Sequence, residues 1–359
     1  MRTLAQLRQL IDATDKSLLD LLNQRAELAH EVGEVKRVDG SAVFRPDREA
    51  QVIAGLQAAN TGPLRGEGIA HIWREVMSAC RALEAPQRIA FLGPVGTFSE
   101  EAARNYFGSS ITPVLGATID EVFHATTAGT ADFGVVPVEN STEGVVTRSL
   151  DLMLHAPLHI VGETSLLVRH HLMRLDNHDR DIACVVAHPQ ALSQCQNWLN
   201  VHLPNAERHA VSSNAEGARL AAQNPTWAAI ASQRAANEYG LHIVAQAIQD
   251  DAYNRTRFAV VCLPQTLPMP EATGNDCVSL VFSVANQPGA VHDLLVPLKR
   301  HGVSMTRIES RPARSGQWEY YFYLDLKGHP QQPHVQAALQ ELRGLCAFYK
   351  ELGAYPCAD

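Results

Sequence analysis

From Leu4 to about Arg37 the chain has no proline, and apolar residues fall at helical intervals: Leu4, Leu7, Ile11, Leu18, Leu21, Leu22, Leu28, Val32 and Val35. The spacing predicts one helix roughly 50 Å long. Such a helix cannot bury its own apolar stripe. Two further helical patches follow, PDREAQVIAGLQAAN and GIAHIWREVMSACRALE, separated by TGPLRG. Pro46 suits the first turn of the second helix. Residues 1–86 are therefore expected to be all-helical and to need a second copy to complete their core.

At Gln87 the rhythm changes. Short apolar runs (RIAFLG, ITPVLG, FGVVPV, HIVGETSLLV, DIACVVAHP, RHAVSS, TWAAIAS, HIVAQAI and RFAVVCL) alternate with amphipathic stretches such as FSEEAARNYF, TIDEVFHATTAG, QALSQCQNWLNVHL and NAEGARLAAQ. That alternation predicts open, parallel-type sheets over 88–263, enough chain for two lobes with a ligand between them. The proline-rich PQTLPMPEATGND, residues 264–276, reads as a linker. Beyond it, 277–359 runs strand, helix, strand, strand, helix, strand, the ferredoxin-like split motif.

The formal net charge of −8 argues against a nucleic-acid partner. No apolar run approaches membrane-spanning length. The charged, helical N-terminus is unlike a signal peptide. Seven scattered cysteines without CxxC point to a reduced, cytoplasmic protein. His170 and His171 are adjacent, but no partner stands at a familiar zinc spacing, so no metal is expected.

Several stretches carry candidate chemistry. Arg25 and Lys36, eleven residues apart, share a helix face roughly 16 Å long and could hold a small dianion. Arg8 lies roughly 25 Å from Arg25 on another face, and only an antiparallel second subunit could bring it to that pocket. The alternative is a solvated cationic face. GPVGTFSEEAA follows a strand and opens a helix, where backbone N–H groups could meet an anion or Thr97 or Ser99 could simply cap. VVPVENSTEGVV places Glu139, Asn140, Ser141 and Thr142 at a strand's carboxyl end. HPQALSQC adds His188, Gln190 and Ser193. In DAYNRTRFAVV, Thr256 stands between Arg255 and Arg257. A hydroxyl beside cations becomes a better acid, able to protonate a poor leaving group.

The stretch LRQLIDATDKSLLDLLNQRAELAHEVGEVK closely resembles the all-helical chorismate mutase family, over 1–86. That resemblance implies an intertwined dimer in which Arg8 of one chain and Arg25 and Arg48 of the other hold substrate carboxylates. Lys36 would contact the ether oxygen and Glu49 the ring hydroxyl. Glu84 stands where many members have glutamine; a carboxylate there must be protonated to help. Arg45 replaces an aspartate, adding positive charge to the substrate pocket.

GPVGTFS, PVENSTEG, HPQALSQC and NRTRF together resemble prephenate dehydratase, through about 88–263, with two α/β lobes of the periplasmic-binding type. The resemblance implies that Thr256 assists departure of the ring hydroxyl, that Arg257 holds the pyruvyl carboxylate and that Phe258 packs at the ring. Thr97, Glu139, Asn140, Ser141, His188 and Gln190 would line the pocket.

Residues 277–355 resemble the ACT regulatory domain, with GAVHDLL in place of its GALxxxL pattern. Asn286, Gly289, Ala290, Val291, Glu309 and Ser310 would then bind phenylalanine between paired copies. The sequence therefore predicts a multidomain fold: an all-α chorismate mutase domain, a two-lobed α/β dehydratase domain and an α+β ferredoxin-like ACT domain. The expected protein works on chorismate and prephenate without cofactor, as at least a homodimer, with phenylalanine as effector. The alternatives at this point are a prephenate or arogenate dehydratase with a non-catalytic helical dimerisation arm and a two-lobed ligand-binding regulatory protein without chemistry.

Overall fold

The computed structural model describes residues 2–176, 181–285, 287–313 and 320–358. The chain forms two compact units, one of residues 1–87 with 107–112 and one of the remainder.

The first unit is helical. Helix α1 (Leu4–Asp39) starts at a capping box between Thr3 and Gln6 and stops at Gly40, whose φ of 76° is the left-handed turn that glycine tolerates. Helix α2 (Pro46–Ala59) begins on Pro46, and α3 (Gly66–Glu84) packs on α1. Gly33, the one buried residue of α1 among those described, makes this packing close: a Cβ there would stand 3.0 Å from the Glu84 Cβ. The apolar stripe is otherwise uncovered. Leu7, Leu10, Ile11, Leu18, Leu21 and Leu28 are all exposed.

The second unit opens with β1 (Arg88–Leu92), α4 (Phe98–Phe107), β2 (Thr112–Gly116), α5 (Ile119–Thr127), β3 (Phe133–Asn140), β4 (Gly144–Val145), α6 (Thr147–His155) and β5 (His159–Leu167). The chain then crosses into a second lobe: β6 (His171–Arg174), β7 (Cys184–Ala187), α7 (Pro189–Gln194), α8 (Gln196–His202), β8 (Glu207–Ala210), α9 (Asn214–Ala221), β9 (Trp227–Ala231), α10 (Gln233–Tyr239) and β10 (His242–Ala245). It returns as β11 (Arg255–Cys262). The first sheet is ordered β2-β1-β3-β11-β5, with β4 on β3; the second is β10-β6-β9-β7-β8.

The expectation of parallel sheets needs correcting. Strands β1 and β3, and β7 with β8 and β9, pair parallel, but β6 runs antiparallel to β9 and β10. Strand β11 re-enters the first lobe from the second, so it runs antiparallel to both β3 and β5. The lobes touch where Ser232 Oγ donates to the Gly96 carbonyl (3.1 Å) and Tyr239 to that of Val95 (3.0 Å).

Residues 264–275 do not trail free: Leu267 is fully buried and the Pro270 carbonyl accepts from His329 Nε2 at 3.0 Å. The C-terminal sheet follows the predicted order: β12 (Asp276–Ser283), α11 (Ala290–Arg300), β13 (Met305–Pro312), β14 (Tyr320–Lys327), α12 (Pro333–Leu345) and β15 (Phe348–Pro356), arranged β13-β14-β12-β15. It packs on the first lobe. Ala259 and Val261 of β11 share a core with Val281, Tyr323, Leu352 and Tyr355. Lys350 Nζ donates to the carbonyls of Met153, Leu154 and Ala156 at the end of α6. Backbone meets backbone at Gly353, where a Cβ would lie 2.0 Å from the Ile160 carbonyl oxygen.

The seven cysteines are not all thiols, contrary to expectation. Cys277 and Cys357 form a disulfide. Antiparallel pairing of β12 with β15 puts Cys277 opposite Tyr355 and brings the two cysteine Cα atoms to 5.2 Å, within bridging range.

Candidate active sites

In the helical unit, the α1–α3 contact gathers the predicted polar residues. Lys36 Nζ lies 3.2 Å from Glu84 Oε2 and donates to the Val43 carbonyl at 3.0 Å. Glu84 therefore faces a cation in one chain, a partner that the sequence reading did not give it. Arg25 Nη1 contacts Cys80 Sγ at 2.9 Å. Cys80 sits one helical turn before Glu84 and was missed, because a thiol inside an amphipathic helix reads as core. Arg81 was also missed; it is buried, paired to Glu49 and to the Phe107 carbonyl. Burial pushes Glu49 above the ordinary carboxylate range, while Arg81 pulls the other way. Arg45 does not add free charge, since it forks onto buried Asp47 (2.6 and 3.0 Å). Arg8 and Arg48 are exposed, Arg8 some 25 Å along the axis from Arg25 as the spacing requires.

In the two-lobed unit, β11 and β3 pair so that Thr256 lies opposite Asn140. Asn140 is buried and central. Its Nδ2 donates to Thr256 Oγ1 (2.9 Å) and Asn254 Oδ1 (2.8 Å), with a longer contact to the Arg255 carbonyl (3.3 Å). Its Oδ1 accepts from the backbone of Thr142 and Glu143. The chain of amides continues across the lobes. Asn254 Nδ2 donates to Gln194 Oε1 (3.0 Å), which also accepts from His170 Nε2 (3.0 Å), and Gln194 Nε2 points to Glu143. That orientation places the His170 proton on Nε2 and leaves its buried Nδ1 bare. Burial pushes the imidazole below its ordinary range.

Thr256 is half-buried, and it accepts a hydrogen bond from Asn140. Among the described residues its own proton has no acceptor. A hydroxyl so held is oriented, is made more acidic, and can donate outward. Gln194 and His170 were not chosen from the sequence. Gln194 lies within what reads as one helix, but the helix breaks at Cys195 into α7 and α8. His170 was weighed only as a metal ligand.

Other predicted residues stand elsewhere. Thr97 caps: its hydroxyl donates to the Leu92 carbonyl (2.7 Å) and accepts from Glu100 N. The Gly96 N–H, expected to meet an anion, meets the buried carboxylate of Glu100 at 2.7 Å, and that carboxylate also binds Arg104 and Arg234. His188 caps α7 through Nδ1, which accepts from Gln190 N, and Ser141 Oγ accepts from Arg255 N. Arg257 is not brought to Thr256's side of the strand. Neighbours on a strand point to opposite faces, and its guanidinium reaches Asp325 (2.7 Å), Glu163 (3.2 Å) and Glu139 (3.3 Å). Glu139 is thereby turned to the same face, and Phe258 is buried in the core.

In the C-terminal sheet, Gly289 has φ 85° and starts α11 at Ala290; Gly289, Val291 and Ser310 are exposed. Glu309 and Ser310 pair with β14, which separates them from β12. Asn286 lies outside the described residues.

These three modules define a class: a helical catalytic segment, a two-lobed α/β enzyme core and a ferredoxin-like regulatory module on one polypeptide. Residues 7–85 match chorismate mutase type II, 89–266 match prephenate dehydratase and 278–344 match the ACT domain. The chain is 44% identical to the bifunctional chorismate mutase/prephenate dehydratase of Stutzerimonas stutzeri over 99% of its own length and 98% of that protein. It is 47% identical to the one from Neisseria gonorrhoeae, over 98% and 96%. The solved structure of prephenate dehydratase in complex with L-Phe from Arthrobacter aurescens is 32% identical and superposes with a TM-score of 0.68, over 75% of this chain and 89% of that one. The chain belongs to the bifunctional chorismate mutase/prephenate dehydratase family.

Proposed function

We propose that this enzyme converts chorismate to prephenate at the helical unit and prephenate to phenylpyruvate, CO2 and water at Thr256. The first reaction is pericyclic and needs no nucleophile. Lys36, Arg25 and Arg48 would grip the dianion in its reactive conformer and stabilise charge developing on the ether oxygen. Glu49 would take the ring hydroxyl, and Glu84 holds Lys36, the group that would meet the ether oxygen, in the free enzyme. The uncovered stripe of α1 supports a homodimer in which Arg8 comes from the second chain; sedimentation velocity tests it, and a monomer with full mutase activity would refute it.

For the second reaction the carrying observation is the Asn140–Thr256 bond. Hydroxide leaves poorly, so the oriented hydroxyl donates its proton as the C–O bond breaks. Loss of CO2 and aromatisation follow. With Arg257 engaged elsewhere, the carboxylates would fall to the side chains of Ser141, His188 and Gln190. The ACT match, and the L-Phe in the Arthrobacter aurescens structure, support phenylalanine as effector at Gly289, Ala290, Val291, Glu309 and Ser310. Among the described residues no helix is long and apolar enough to cross a membrane; a cytoplasmic location is our reading. The test is Thr256→Ala fed with chorismate. Prephenate should accumulate at the wild-type rate while phenylpyruvate formation falls about 10²–10⁴-fold. Undiminished phenylpyruvate would remove Thr256 from the mechanism.

A further inference from the structure

Arg257 sits one residue from Thr256 and is held by carboxylates from three elements: Glu139 of β3, Glu163 of β5 and Asp325 of β14. The closest, at 2.7 Å, is Asp325, which belongs to the C-terminal regulatory sheet. Asp325 is itself fixed. Ser279 Oγ donates to its Oδ1 at 2.6 Å, Ser279 also bonds to the buried Tyr355 hydroxyl at 2.7 Å, and Arg307 Nη1 lies 3.7 Å from its Oδ2. Arg307 of β13 returns to the catalytic lobe through Glu139 at 3.3 Å. Glu163 is tied to the C-terminal tail, whose Ala358 N–H donates to it at 3.0 Å. Every strand of the regulatory sheet thus contributes to the cluster or to its support.

The cluster is tight but incompletely satisfied. Among the described residues, Arg257 Nε and Arg307 Nη2 are buried without hydrogen-bond partners, and both residues line a small cavity with Glu163, Asp325, Ser279 and Tyr355. Side chains here have little room to move, yet unused donors remain for an alternative pairing. Asp325 is also costly to leave unpaired, since an uncompensated buried charge loses far more than one hydrogen bond.

The backbone joins this cluster to the chemistry. Thr256 and Arg257 are successive residues of β11, so a shift that moves the guanidinium also moves the peptide that carries the hydroxyl. Strand β11 has an irregular register against β3 just after Arg257. On the β5 side the register is unbroken from Arg255 to Val260, so only the β3 edge, the one that carries Asn140 and Glu139, leaves part of the alignment to side-chain anchorage.

We propose that Arg257 is a positioning residue for the dehydratase reaction: anchored by Asp325 of the regulatory sheet, it holds Thr256 against Asn140, so that the state of that sheet is read at the reacting proton. Arg257 acts through Thr256 and not on substrate. The regulatory half rests on phenylalanine being the effector; the positioning half does not.

The test uses the full chain with Asp325→Asn, which keeps shape and removes charge, together with Arg257→Gln, Arg257→Lys and the Asp325→Asn/Arg257→Gln pair. Asp325→Asn should lower dehydratase kcat about 10–100-fold, the scale of a small misplacement of a catalytic group, with the prephenate KM within about twofold. The double variant should be no worse than Arg257→Gln alone, and Arg257→Lys should recover part of the rate. Maximal phenylalanine inhibition should fall in Asp325→Asn while mutase activity, measured on the same sample, stays at the wild-type level and reports folding of that unit. Should Asp325→Asn prove unstable, Ser279→Ala, which removes one support from Asp325, must move kcat and inhibition in the same direction. Unchanged kcat in Asp325→Asn, or an Arg257→Gln effect confined to KM, would overturn the proposal. A wild-type enzyme indifferent to phenylalanine would refute the effector reading and leave the kcat prediction to stand or fall alone.

Discussion

Replacing Asn140 by aspartate changes one atom of the side chain and tests the dehydratase site directly. The Oδ1 side is preserved, so the bonds from the backbone of Thr142 and Glu143 remain and the loop keeps its shape. The Nδ2 side is inverted. An oxygen now stands 2.9 Å from Thr256 Oγ1 and 2.8 Å from Asn254 Oδ1, where a donor stood before. Asn254 Oδ1 loses its partner in a buried place, at about 1–3 kcal/mol. Thr256 suffers a different fate: its proton, without an acceptor among the described residues, turns to the new carboxylate, because a charge-assisted O–H···O bond outcompetes a neutral one. The acid is then present but aimed wrongly. Loss of general acid catalysis corresponds to about 10²–10⁴ in rate. The assay is phenylpyruvate release from saturating prephenate, with chorismate consumption as the control. Asn140→Asp should cut dehydratase kcat by that factor, leave mutase untouched and leave the prephenate KM within about threefold, as expected when an interaction made in the transition state is removed. Wild-type turnover in Asn140→Asp would refute both the orientation of Thr256 and the role of its proton.

Two further outcomes follow from other parts of the molecule. His170 is held neutral by burial, so its folded pKa lies below the ordinary value of about 6.5; its stabilisation is complete above that value and is lost as pH falls toward the folded one, by up to about 1.4 kcal/mol per pH unit. Urea midpoints of the wild type near pH 7.5 and near pH 5.5 should therefore differ more than those of His170→Gln, and equal differences would refute the assignment. The Cys277–Cys357 bridge closes a loop with a sequence separation of 80, worth at most about 4–5 kcal/mol to the second unit; dithiothreitol and Cys357→Ser should each lower its denaturant midpoint, the reductant adding nothing to the variant, and an unmoved wild-type midpoint would show that the bridge carries no stability.

The sequence made some of this architecture easy to read. The uninterrupted period of α1 and the strand–helix rhythm of 277–356 are long enough to average out local exceptions, and both elements stand where periodicity puts them. Short pieces escaped. Strand β6 has four residues and α10 seven, too few to display a stripe. Strand direction is not written in periodicity at all, which is why the mixed sheets were read as parallel. The disulfide joins residues too far apart in sequence to associate by inspection. Thr256 and Asn140, which the structure brings together, were legible as candidates because they lie in distinctive motifs. Arg257 was expected beside Thr256 at the substrate, and the structure turns it to the opposite face, as strand alternation alone would have done. Gln194 and His170 were illegible for a different reason: their importance lies in contacts across the lobes, made only once the chain has folded.

The passage of the chain between lobes also has a mechanical consequence. It leaves along β5 and comes back along β11, and the crossings are laced together by Val168 N to the Asn254 carbonyl and Ile248 N to the His170 carbonyl. A separation of the two lobes that kept these bonds would turn about the paired crossings. Thr256 stands immediately beside that axis, where the lever arm is short, whereas residues at the far rim swing through the widest arc. A proton donor placed there, as we propose for Thr256, would scarcely leave its station while the far rim of the lobes moved.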